Sequence, residues 1–176
     1  MRGKLGRVGA ATVLAVGVML TPSTAYAHSG DPSNASNYHS EVTSVRPQPS
    51  AVDIEVIDVG TRLALTVHGT HTVVVQGYEN EQYLRIDPGG VWENTRSPAT
   101  YLNRDRYART QPPTEADARA VPMWQQASTG HTARWHDHRI HWMSTQPPPM
   151  VRADPDRPHT IIDPWQIPLQ VDGSPV

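Results

Sequence analysis

The chain has 176 residues, with 15 basic and 17 acidic side chains, nine histidines, seventeen prolines, no cysteine and no phenylalanine. Without cysteine there are no disulfides, thiolate metal sites, iron–sulfur clusters or cysteine nucleophiles. The slight acidity, with no basic cluster, is not the profile of a nucleic-acid-binding protein.

Taken in order, the chain begins like an export signal. Arg2, Lys4 and Arg7 precede an apolar run from Val8 to Leu20; Thr21-Pro22 interrupts it, and Ala25-Tyr26-Ala27 fits the small-x-small cleavage rule. The run is short for a transmembrane helix, which needs roughly 20 residues. Residues 1–27 therefore read as a signal peptide, and the mature chain as extracytoplasmic, either secreted or held at the cell envelope. Cleavage after Ala27 leaves His28 as the N-terminus. It also leaves twelve basic residues, all arginine, against seventeen acidic, a net charge of −5. Membrane association then requires an uncleaved signal segment or an anchor beyond Val176.

Residues 28–37 are polar and turn-rich, a flexible arm, and one domain is expected over 38–176. Val52, Ile54 and Val56 alternate with Asp53 and Glu55, the pattern of a half-buried strand. After the turn residues Asp58 to Thr61, the alternation repeats at Leu63, Leu65 and Val67. Gly69-Thr70 marks a further turn, and the β-branched run Thr72 to Val75 follows. Tyr83 to Ile86 and Val91 to Thr95 flank Asp87-Pro88-Gly89-Gly90, which reads as a hairpin. Strands at this spacing predict an all-β, Ig-like antiparallel sandwich with little helix apart from the signal peptide.

Residues 96–150 read as a long Pro/Arg-rich loop excursion laid over that sandwich, tacked down by Tyr101, Leu102, Tyr107 and Trp124. Thr114 to Ala120 reads as a single capped helical turn within it, and Gln146 to Pro149 as a stiff connector. Thr160 to Ile162 and Trp165 to Val171 return to strand, and Asp172-Gly173 is a strong hairpin signal with almost no return strand after it. That ending predicts that the natural product continues beyond Val176.

Chemistry concentrates in Trp135-His136-Asp137-His138-Arg139-Ile140-His141-Trp142-Met143. On an extended backbone His136 and His138 share a face; on a helix His138 and His141 are neighbours. Asp137 serves as a third ligand or as the acceptor that fixes an imidazole tautomer. Nitrogen and oxygen donors of this kind suit copper or zinc, and His28 would add an amine and a ring nitrogen. The candidate metal ligands are thus His136, His138, His141, Asp137 and His28, with His68 and His71 a second pair and Met123, Met143 and Met150 soft donors. Against this stands the plainer reading of a hydrogen-bonded network beneath a loop, with Asp137 paired to Arg139 or to an arginine of residues 96–109. No HExxH or GxSxG pattern supports catalysis.

The stretch YLRIDPGGVWENTRSPATYLNRDRY (83–107), with WHDHRIHWM downstream, resembles a group of exported or membrane-anchored actinobacterial proteins. The resemblance covers most of residues 50–173. It implies a signal peptide, a β-rich ectodomain and often a C-terminal transmembrane helix, but no activity. A signal peptide ending before His28, a β meander and a terminal Asp172-Gly173-Ser174-Pro175-Val176 also resemble the CopC-type periplasmic copper-binding sandwiches. That resemblance implies Cu(II) at the N-terminal histidine and at a histidine in an Asp-Gly-His-Pro turn. Ser174 stands at the turn position here, and that family lacks the 96–150 excursion, so only His28 carries over.

Together these features point to a non-enzymatic extracytoplasmic domain with a structural or interaction role in the envelope, partnered by another envelope protein. The alternatives are a copper- or zinc-binding accessory protein and a metal-dependent hydrolase.

Overall fold

The computed structural model of the chain describes residues 39–46, 49–160 and 165–176. The expected signal peptide, the arm and His28 lie outside the described residues, as do Ile161 and Ile162.

The alternating segments form sheet. β1 (Val52–Ile57) and β2 (Arg62–Val67) pair antiparallel, from Val52 opposite Val67 to Ile57 opposite Arg62. Leu63, Leu65 and Val67 of β2 share the face turned to the core, because alternate side chains of a strand face the same side; Ala64 is buried as well. β3 (Val73–Gln76), β4 (Gln82–Asp87) and β5 (Gly90–Asn94) form a second antiparallel meander that buries Val73, Val75, Leu84, Ile86 and Val91. The Pro88-Gly89 loop is pinned by the Asp87 carboxylate, whose Oδ1 accepts the Gly89 amide at 2.8 Å and the Trp92 indole N–H at 3.0 Å.

Residues 96–150 are not one loop, contrary to expectation. They hold β6 (Trp124–Ser128), which pairs with β5, and β7 (Thr132–His136), which pairs with β2. In β7 only Ala133 and Trp135 face inward, and one of the two is small, so the alternation is faint in the sequence. β6 reads WQQAS and is almost wholly exposed. Its backbone pairs with β5, and beside it Asn94, buried at the end of β5, accepts the Met123 and Arg96 amides and donates to the Gln82 carbonyl. A short helix, α1 (Ala99–Leu102), also lies in this stretch, and a second, α2 (Pro149–Ala153), begins at its end. The helical turn expected from Thr114 is a pair of non-helical turns instead.

Near the C-terminus the strand is shorter than expected. β8 (Leu169–Val171) pairs with β3 and with a two-residue β9 (Ser174–Pro175). Asp172 and Gly173 between them have φ of +50° and +80°, the positive pair that a tight hairpin turn demands. The described chain is thus mostly β: a three-stranded sheet β1-β2-β7 and a six-stranded sheet β6-β5-β4-β3-β8-β9, both antiparallel. Their inner residues share one core, in which Leu63, Leu65, Ala133 and Trp135 from one sheet meet Val75, Leu84, Ile86 and Leu169 from the other. No helix among the described residues is long and apolar enough to cross a membrane.

Candidate functional site

The His-rich segment leaves β7 at His136 and turns at once. The Ile140 amide donates to the Asp137 carbonyl at 3.2 Å, so His138 and His141 sit on neither a strand nor a helix. Asp137 is completely buried. Its Oδ1 accepts the Arg139 amide at 3.0 Å and Nε at 2.8 Å; its Oδ2 accepts the Arg139 terminal nitrogen at 2.8 Å and the Trp135 indole N–H at 3.0 Å. Arg139 also donates to the carbonyls of Gln76 at 3.0 Å and Gly77 at 3.3 Å. One guanidinium therefore ties the turn after β7 to the end of β3. A buried carboxylate is tolerable only when paired and hydrogen-bonded in this way.

Tyr78 continues the network. Its ring lies under the Arg139 guanidinium at 4.9 Å and stacks on His138 at 5.8 Å. Its hydroxyl donates to Asn103 Oδ1 and accepts the His138 amide. Burial, and then the Asp137 carboxylate, push the Tyr78 phenol well above its usual range, so it stays protonated and able to donate. Nearby, the buried Glu81 accepts the Ser97 hydroxyl at 2.6 Å and the Glu79 amide at 2.9 Å. Tyr78, Glu81, Ser97 and Asn103 carry no motif in the sequence. Their partners lie up to 61 residues away along the chain, from Tyr78 to Arg139, so nothing local announces them.

Each imidazole of the cluster meets a backbone carbonyl. His136 Nδ1 donates to Thr61 at 2.9 Å, His138 Nε2 to Asp105 at 2.8 Å and His141 Nδ1 to Trp142 at 3.1 Å. A carbonyl only accepts, so these bonds place the ring protons. Burial lowers the pKa of His136, and lowers that of His141 to about 4. The opposite nitrogen of His141, Nε2, is buried without a hydrogen-bond partner. His138 and His141 meet edge to face with ring centroids 6.0 Å apart, and both line an open cleft of about 330 Å³ with Trp142, Met143, Ser144 and Trp165.

Of the expected ligands, His136, Asp137, His138 and His141 stay close together but do not converge on one point. Asp137 is engaged on both oxygens by Arg139 and Trp135. Among the described residues, no group of three or more His, Asp or Glu side chains is arranged to hold a metal ion. His68 and His71 face separate carboxylates, Asp53 at 2.7 Å and Asp172 at 2.6 Å, rather than each other. Met123 and Met150 are exposed. Of the arginines in residues 96–109, Arg109 pairs with Asp105, whose carboxyl it holds well below the usual range.

The chain matches no family model, no curated protein and no solved structure.

Proposed function

We propose that the chain is an exported, Ig-like β domain with a structural and interaction role in the cell envelope. In this reading the segment 135–143 is a clasp rather than a catalytic centre. The observation that carries it is the complete use of Asp137: four donors, one from Trp135 and three from Arg139, converge on a carboxylate with no exposure. The clasp holds residues 76–81 and 103–105 against the turn after β7. An interaction role draws support from the exposed Val121 and Met123 just before β6, which is an edge strand among the described residues, since apolar side chains beside a sheet edge favour association.

Two measurements test this reading. Expressed in a bacterial host with its own leader, the full chain is expected outside the cytoplasm with a mature mass that begins at His28. Retention in the cytoplasm at unprocessed mass would refute export. Substituting Asp137→Ala is expected to lower the melting temperature sharply; an unchanged melting temperature would refute the clasp.

A further inference from the structure

We propose that the cleft beside the clasp is a site for one soft monovalent cation of the Cu(I) class, held by His138, His141 and Met143. The inference does not depend on export, and none of its ligands is a position that the copper-sandwich resemblance implies. The first observation is the orphaned nitrogen. His141 is 5% exposed, and its Nε2 has no partner. An unmet buried acceptor is costly, and this lone pair is left available to a ligand.

The second observation is how the two rings are held. Each donates one N–H to a backbone carbonyl, His138 through Nε2 and His141 through Nδ1. Metal-bound histidines are oriented in this manner, because the outer bond fixes the tautomer and leaves the opposite lone pair free. Two imidazoles on one ion at about 2 Å from each nitrogen bring their ring centroids within about 6.4 Å of each other. The observed separation is 6.0 Å.

The third observation selects the ion. Met143 lines the same cleft, and thioether sulfur favours Cu(I) over harder ions. Asp137 is withdrawn into its own pairing, and no third His, Asp or Glu joins the two rings among the described residues. Zinc, which takes three or four nitrogen, oxygen or thiolate ligands, is poorly served. Two imidazoles and a thioether are sufficient for a low-coordinate soft ion. Trp142 and Trp165 line the same cleft.

The test titrates the purified full chain with Ag(I), a redox-inert stand-in for Cu(I), by calorimetry, while NMR follows the Met143 methyl resonance. Met143→Leu conserves volume and is expected to fold; its melting temperature is checked first, and that of His138→Gln alongside. The expected result is a shift of the Met143 methyl at one equivalent, and a loss of affinity of at least about ten-fold in each variant. His136→Gln, which lies outside the cleft, should bind Ag(I) as the parent does. No saturable binding would overturn the proposal. So would binding that leaves the Met143 methyl unmoved, or affinity unchanged in both variants.

Discussion

Asp137 and Arg139 show how a charged pair is made tolerable inside a β domain. The carboxylate has no exposure, and every donor that reaches it comes from its own turn or from Trp135. Removing one partner of such a pair leaves a buried charge, at a typical cost of 3–5 kcal/mol. Asp137→Ala is expected to destabilise by about that amount in urea unfolding. Arg139→Met in the same chain should recover part of the loss, and strict additivity of the two substitutions would refute their coupling. His141 makes a separate prediction. Its folded pKa of about 4 lies below its ordinary value of 6.5. The unfolded chain therefore binds a proton at higher pH than the folded one does. The stability it contributes is complete above about pH 6.5 and is lost as the pH falls toward 4, on the order of 3 kcal/mol in all. Melting temperatures of metal-free protein across this window should fall, and should fall less for His141→Gln; an equal fall in both would assign the effect to other groups.

At the scale of elements, the β5–β6 junction depends on a missing side chain. Gly90 has φ of +127°, and a Cβ built there would lie 2.1 Å from the Ser128 carbonyl oxygen. Backbone that close cannot give way as a flexible side chain would, and the positive φ adds strain. Gly90→Ala is expected to cost about 2–3 kcal/mol and to loosen β6 from β5. Amide exchange checks this: protection of residues 125–128 should fall more than that of β1 and β2. Uniform protection would show that β6 is held by something other than its ladder to β5.

At the scale of the molecule, the two sheets share one core, and the clasp joins their connecting segments. Trp135 belongs to that core, whereas Trp92 and Trp124 stack against Arg85 on the six-stranded sheet. A chain with one core should unfold in a single transition. Far-ultraviolet dichroism and tryptophan fluorescence are expected to give coincident midpoints in urea. Separated midpoints would mean that the sheets unfold independently.

Six strands were legible in the sequence: Val52 to Val56 and Leu63 to Val67 by their alternation, Val73 to Val75 by its β-branched run, the two arms around Asp87 to Gly90 by the turn between them, and the last, overlong, within Trp165 to Val171. A half-buried strand writes its own period wherever apolar and polar residues take turns. β6 and β7 were not legible. The first is polar throughout and pairs mainly through its backbone; the second alternates with only one large inward residue. The importance of the segment around Asp137 was also visible in its composition. Its use was not, because partners such as Gln76, Tyr78 and Asn103 reach it only after the chain has folded. Composition determined that this is a β domain with costly polar side chains in one short stretch. Tertiary structure decided that the aspartate serves an arginine while one histidine nitrogen goes unmet, because only packing settles which donor is near which acceptor.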